Sequence, residues 1–409
     1  MKDMDLKETL SAGNYCIESI IAEIAQGIKG LIAKNIITEE KKIVIYGLDT
    51  FSFAMRTILD NLGFKVDSYI SDIPEQLIKY KRNVKAIKAR YLNSSRDLIK
   101  ICSIEEALVP FDKEILIISG SKECPETEIQ KLNYKKNESF FQVYDWNEDE
   151  FTKATREKRK MTLKEVQNIC KDMLSQLDWF CTDRGLRYWV CGGTLLGTIR
   201  HKGFIPWDDD IDVFMPWTDY QKFLDEFVCD KKYGLIIPHK TDRKNHYHLF
   251  AKMKYNSTIV REHGDIIRYI HPVAIDIFPL IGMPGEDKKR HLFFEKYNEL
   301  NKMIWEDFYA NNGDLGVYNK WYPAQREYLE KYDFDQSDYV GVLATVYGEN
   351  DCTTRKVYEK TLRMPFEDIE VNVPVGYKEY LDNLYGKDWM ELPEESKRVS
   401  LHNMEAYWL

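Results

Sequence analysis

Apolar residues recur at helical spacing near the start of the chain. Ile17, Ile20, Ile21, Ile24, Ile28 and Leu31 fall on one stripe over residues 15–33 and predict an amphipathic helix. The pattern then changes to short apolar runs bounded by turn residues. Ile43-Val44-Ile45-Tyr46 ends at Gly47 and is followed by a helical stretch to Leu62. Lys65 to Ile70 ends at Ser71-Asp72, and Ile115-Leu116-Ile117-Ile118 ends at Ser119-Gly120. Short apolar strands alternating with helices indicate parallel βαβ units. Residues 38–147 therefore read as a small doubly wound α/β domain, behind a helix within residues 1–37. The polar stretch 145–160 reads as a linker.

A second unit opens with the capping box Thr162-x-x-Glu165. Leu163, Val166, Ile169, Cys170, Met173, Leu174, Leu177 and Phe180 give the following helix an apolar face. A strand-like run, Arg187 to Cys191, meets Gly192-Gly193-Thr194 and a short helix to Arg200. A loop then leads into Asp208-Asp209-Asp210-Ile211-Asp212-Val213. Residues 217–230 look helical, 245–262 look like two strands around a turn, and 272–280 form a further strand. The C-terminal third reads as helical, rich in Tyr and Trp.

Composition narrows the function classes. With 58 Lys+Arg against 67 Asp+Glu, the net charge is −9, so general attraction to nucleic acid is not expected. The 8 cysteines are scattered without C-x-x-C or finger spacing, which argues against a disulfide framework or structural zinc. No apolar run approaches the ~18–20 residues that span a bilayer. The expectation is a cytoplasmic protein with no transmembrane segment, compatible with a peripheral position at the inner membrane face.

Residues 192–212 carry the chemistry. In an extended segment Asp210 and Asp212 project from one face while Ile211 and Val213 point inward. Adjacent carboxylates repel unless a cation lies between them, and oxygen-only donors suit Mg²⁺ or Mn²⁺ held with substrate phosphates. Asp276 is a third acid, isolated between Ile275 and Ile277, and pairing it with the same metal would offset its burial. Gly192, Gly193 and Thr194 join a strand to a helix, where free N–H groups can meet a phosphate. Arg200, His201 and Lys202 add cationic donors. An EF-hand reading of the same acids fails, because its sixth position is Val213 and its twelfth Asp219. In the first domain, only Gly47 matches a dinucleotide fingerprint. Asp72 stands where such folds place a ribose-binding acid, so a scaffold or docking role is the better reading there.

The run GGTLLGTIRHKGFIPWDDDID from Gly192 to Asp212 resembles the signature of the LicD family of phosphotransferases, whose distant animal relatives are fukutin and fukutin-related protein. Further matches are Phe250-Ala251-Lys252 with Thr258, Asp276 to Leu280, Val373-Pro374, Tyr385-Gly386 and Leu392-Pro393. The resemblance covers roughly residues 160–405 and leaves 1–150 outside. It implies a nucleotidyltransferase-fold catalytic domain, so that with the helical C-terminal part and the small Rossmann-like N-terminal domain read from the pattern the chain is expected to be α/β and α+β. It implies transfer of phosphocholine, or a similar phospho-alcohol, from a CDP-linked donor such as CDP-choline to a hydroxyl of a glycan or glycolipid. Carried over, Asp210, Asp212 and Asp276 would be catalytic and ligate Mg²⁺ or Mn²⁺. Asp276 would also act as base on the acceptor hydroxyl. Arg200 and Lys252 would neutralise phosphate charge, Asp208 would support the loop, and His201 would either assist or pack.

Two alternatives stay open: a true nucleotidyltransferase that transfers a nucleoside monophosphate, and a non-catalytic metal-binding adaptor. A quaternary ammonium is recognised by aromatic faces. Trp207, Phe204 and Tyr247, together with Tyr269 and the segment 305–322, are the candidates to wall such a pocket, which favours choline over ribitol.

Overall fold

The structure is a computed structural model that describes residues 17–47, 50–71, 100–102, 112–120, 126–143, 150–238, 248–263, 268–310, 316–343, 345, 347–395, 398 and 404–409. The chain divides into two compact units. One comprises Met1–Glu157 with His263–Tyr269 and Lys302–Val317. The other comprises Lys158–Glu262, Ile270–Asn301 and Tyr318–Leu409. Among the described residues, no helix is long and apolar enough to cross a membrane.

In the first unit, α1 (Ile17–Ala33) precedes β1 (Lys42–Tyr46), α2 (Thr50–Asn61), β2 (Val66–Ile70), β3 (Lys100–Cys102), β4 (Ile115–Ser119), α3 (Glu126–Lys131), β5 (Phe140–Gln142) and α4 (Glu150–Thr155). The expected stripe of α1 is visible where its side chains are described: Ile24 and Ile28 are buried. The five strands are all parallel, in the order β3-β2-β1-β4-β5. The periodicity anticipates β1, β2 and β4, while β3 and β5 are too short to leave a pattern. Central strands of a parallel sheet are covered on both faces, and β4 is buried throughout. Asp72 lies outside the described residues.

The second unit opens with α5 (Leu163–Arg184). The Thr162 side chain accepts from the Glu165 N–H at 3.3 Å, and Glu165 Oε2 accepts from the Thr162 N–H at 2.9 Å. Gly185, left-handed at φ 64, ends the helix. Its apolar face is buried from Val166 to Cys181, but Leu163 is exposed. Then follow β6 (Trp189–Val190), α6 (Gly192–His201), β7 (Asp212–Pro216), α7 (Trp217–Glu226), β8 (Tyr233–Ile236), β9 (Ala251–Tyr255), β10 (Thr258–His263), β11 (Arg268–His271) and β12 (Ala274–Met283). The chain continues through α8 (Asp287–Ala310), α9 (Val317–Glu330), β13 (Tyr339–Gly341), a 3-10 turn (Gly348–Asp351), β14 (Thr353–Thr354), β15 (Thr361–Phe366), β16 (Ile369–Pro374), α10 (Tyr377–Tyr385) and β17 (Glu405–Trp408).

The main sheet runs β14-β13-β12-β7-β6. At its near end, β12 also pairs with β9, and β9 with β8. Among the described residues of this sheet, β7 and β12 run parallel, while β6, β9 and β13 are antiparallel to their partners. The C-terminal third is less helical than its sequence suggests. It contains a hairpin of β15 and β16 and, in β17, a strand that pairs with β10. Cross-strand pairing of these segments overrides the helical reading of the region.

Candidate active site

Strand register assembles the centre of the site. Asp276 on β12 lies directly opposite Asp212 on β7, and on its other side opposite Lys252 on β9. The three residues form one row across neighbouring strands, which lie ~4.8 Å apart. Pleating keeps the row on one face, while Ile211, Val213, Ile275 and Ile277 are fully buried on the other. The Lys252 ammonium, itself almost completely buried, donates to Asp276 Oδ1 at 2.6 Å. A buried lysine is tolerated because its charge is matched there.

Next to this row, β6 runs into α6. The helix begins at Gly192 without a side-chain cap from Cys191, and the first N–H groups of a helix have no acceptor within it. Gly192 adopts φ 51, a left-handed conformation that favours glycine. A Cβ on Gly193 would stand 2.8 Å from Asp208 Oδ2, and one on Gly192 3.4 Å from Asp212 Oδ2. The glycines therefore let the helix start approach the acids. Thr194 is buried, and its hydroxyl accepts from the Asp212 N–H at 2.9 Å, pinning the helix to the first residue of β7.

Residues 202–211 are a loop, so β7 starts at Asp212 and not at Asp208 or Asp210. The loop is held from several directions. Gln167 Nε2 donates to the Asp208 carbonyl at 2.9 Å. Glu367, in the tip of the β15–β16 hairpin, accepts from the Phe204 N–H at 3.3 Å, and its own N–H donates to the Lys202 carbonyl at 2.7 Å. Among the described residues, carboxylate oxygens of Asp208, Asp209 and Asp210 lie within 4.8 Å of one another. Asp212 and Asp276 stand in register beside them rather than in that group of three. The acids share one electrostatic neighbourhood. Burial pushes the Cys191 thiol well up, and Asp212, Asp351, Asp210 and Asp276 push it the same way.

The other expected residues have separate roles. Arg200 donates from Nη1 to the carbonyls of Trp389 at 2.8 Å and Glu391 at 3.1 Å, and from Nε to His201 at 3.0 Å. These bonds tie the end of α6 to the 389–391 loop. Burial, then the neighbouring Arg200 charge, hold His201 below its ordinary value, favouring the neutral ring. That ring meets Trp207 edge-on at 6.5 Å. Trp207 is half-buried and already carries the Arg398 guanidinium over its ring at 5.9 Å. Phe204 is core: it is buried and packs edge-to-face on Phe366 at 4.9 Å, because the loop must be anchored at its apolar residues. Tyr247 and the side chain of Tyr269 lie outside the described residues.

Four residues were not anticipated. Asp209 is buried within its acidic run. Asp351, in the 3-10 turn, is buried and accepts from the Tyr380 hydroxyl at 3.0 Å. Tyr380 in turn accepts from the Gly192 N–H at 3.3 Å. Glu367 looks in sequence like an ordinary turn residue. Only the adjacent acids of the Asp208–Asp210 run gave a sequence signal for Asp209; for the others, long-range pairing supplies the role.

The chain matches the family model LicD/FKTN/FKRP, nucleotidyltransferase domain, over residues 185–273, which span α6, the acidic loop, β7 and β9. It is 30% identical over 267 residues to the lipopolysaccharide cholinephosphotransferase LicD of Haemophilus influenzae, covering 61% of this chain and 100% of that protein. It is 28% identical over 135 residues to the ribitol-5-phosphate transferase FKTN of Macaca fascicularis, across 33% of this chain and 26% of the relative. A segment of 29 residues is 59% identical to the human ribitol 5-phosphate transferase FKRP, only 7% of this chain and 6% of that one. With the whole of one relative spanned at this identity, the chain belongs to the LicD family.

Proposed function

We propose that this chain is a metal-dependent phosphotransferase that moves phosphocholine from a CDP-linked donor to a hydroxyl of a glycan or glycolipid. The observation that carries the reading is the row Asp212–Asp276–Lys252 set beside the open start of α6. Acids for a cation and N–H groups for a phosphate on adjoining elements suit chemistry at a diphosphate, where positioning and charge stabilisation do most of the work. Similarity of 61% of this chain to the whole of a cholinephosphotransferase supports the same reading.

Mg²⁺ or Mn²⁺ fits the donor set, which is oxygen-only, with Asp208, Asp209 and Asp210 converging and Asp212 and Asp276 set in register. Asp210, Asp212 and Asp276 would hold it, with Asp208 and Asp209 adjoining. Such an ion, when bound, neutralises charge on the donor phosphates. The first-turn N–H groups of α6 orient those phosphates. Asp276, fixed by Lys252, takes the proton from the acceptor hydroxyl. The acceptor oxygen then bonds to the phosphorus of phosphocholine, the diphosphate P–O bond breaks, and CMP leaves with that bond's electron pair. In this reading the five-stranded parallel unit is a Rossmann-like scaffold, as its strand order suggests, and residues 160–405 are the nucleotidyltransferase-fold catalytic domain.

The test is incubation of the protein with Mg²⁺ and a panel of CDP-alcohols while CMP release and acceptor mass are measured. An acceptor heavier by phosphocholine supports the proposal, and one heavier by a nucleoside monophosphate overturns it. A higher kcat/KM for CDP-ribitol than for CDP-choline replaces the alcohol and leaves the chemistry standing.

A further inference from the structure

Beneath the Gly-Gly turn lies a chain of hydrogen bonds that the proposed chemistry does not use. Asp351 is buried, 1% exposed, in the 3-10 turn before β14. It accepts hydrogen bonds from two hydroxyls, Thr345 on Oδ2 and Tyr380 on Oδ1, the second at 3.0 Å. A carboxylate in this position is costly to desolvate, and an apolar residue would fill the space more cheaply. Tyr380 is also buried and wedged edge-on against Phe214 of β7, with ring centroids 5.9 Å apart, so its hydroxyl has little freedom to move.

A phenol hydroxyl has one proton. Once that proton is committed to Asp351, the lone pairs face the other way, toward the Gly192 N–H at 3.3 Å. Gly192 is the first residue of α6 and sits at φ 51, so an outside contact is needed to hold the peptide in place. Satisfying its N–H from below leaves the following N–H groups, of Gly193 and Thr194, to face a ligand.

We propose that Asp351 is a positioning residue that, through the Tyr380 hydroxyl, sets the orientation of the Gly192-Gly193 turn and so the affinity for the donor diphosphate. This rests on the functional reading above. The turn contacts the diphosphate before and during transfer, so the relay acts on uniform binding and shows in KM more than in kcat.

The experiment compares Tyr380→Phe, Asp351→Leu and Asp351→Asn in the full chain. Two readouts are taken: protection of the Gly192 amide in hydrogen exchange, and kcat and KM for CDP-choline with Mg²⁺. Tyr380→Phe keeps the ring and removes the relay. It should expose the amide and raise KM roughly tenfold, with kcat changed less than about threefold. Asp351→Leu should do the same, whereas Asp351→Asn keeps an acceptor for the hydroxyl and should restore most of the wild-type KM. Unchanged amide protection in folded Tyr380→Phe, or an unchanged KM, overturns the proposal. If the wild-type protein turns over no CDP-alcohol, the functional reading fails on its own. The relay is then judged by the amide alone: lost protection supports it and retained protection overturns it.

Discussion

In the first unit the strand ends of a fully parallel sheet are closed by hydroxyls. Ser52 donates to the Tyr46 carbonyl at the end of β1 at 3.4 Å, and Ser119, closing β4, donates to the same carbonyl at 3.3 Å. In the second unit the parallel pair of β7 and β12 carries charge at its strand beginnings: Asp212 opens β7, and Asp276 is the third residue of β12. Both regions obey the same rule of apolar residues buried against helices. The difference lies in what interrupts the apolar run. A hydroxyl satisfies its hydrogen bond on a neighbouring carbonyl, whereas two facing carboxylates repel each other, and the Lys252 ammonium answers the charge of Asp276. Parallel pairing alone says nothing of chemistry, while charged side chains set in register across three strands do.

The strongest way to break this contrast is to remove the charge. Asp210→Asn and Asp212→Asn should each lower CMP release on the order of 10³-fold. The melting temperature without metal should stay level or rise, since repulsion is relieved. A large fall would mark these acids as structural and the two sheets as alike. Chelation with EDTA should likewise abolish release and added Mg²⁺ restore it.

Asp276 should behave differently from its neighbour Asp212, because its carboxylate accepts the Lys252 hydrogen bond at 2.6 Å. Asp276→Ala takes a close partner from a buried ammonium and should cost about 3 kcal/mol of stability in denaturant titration. Adding Lys252→Met should recover most of that loss without recovering activity. If the single variant is as stable as the wild type, the pair does not hold the sheet together.

A third measurement concerns pH. Burial raises the Asp351 carboxyl from 3.8 to about 6. An acid that binds its proton more tightly when folded makes the folded state less stable as pH rises between those two values. Unfolding free energy should therefore fall from pH 4 to pH 6 by up to about 3 kcal/mol from this group, and the fall should vanish in Asp351→Asn. The same slope in both proteins would assign it to other groups.

The smallest effect belongs to the first sheet. Ser119→Ala should cost about 1 kcal/mol and leave kcat and KM for the donor unchanged. A change in turnover would link the hydroxyl-closed sheet to the reaction and undo the contrast.

Local pattern was enough for much of this molecule. The capping box at Thr162 and Glu165, the buried face of α5, the strands β1, β4, β7 and β12, and the alternation that buries Ile211 and Val213 all follow from a few neighbouring residues. The acids 208–212 and 276 stood out because charge among apolar residues is expensive wherever the chain goes. Distance along the chain hid the rest. The pairing of Asp276 with Asp212 and Lys252 depends on strand register across 64 and 24 positions (276 − 212 and 276 − 252). Phe204 became core and not pocket because a hairpin more than 150 residues later brings Phe366 against it. Asp351 acquired its partner only when α10 placed Tyr380 beneath Gly192. Hydrophobic periodicity reports the burial of one residue at a time, whereas a hydrogen bond or ion pair needs two residues at once, and only the packed chain decides which two meet.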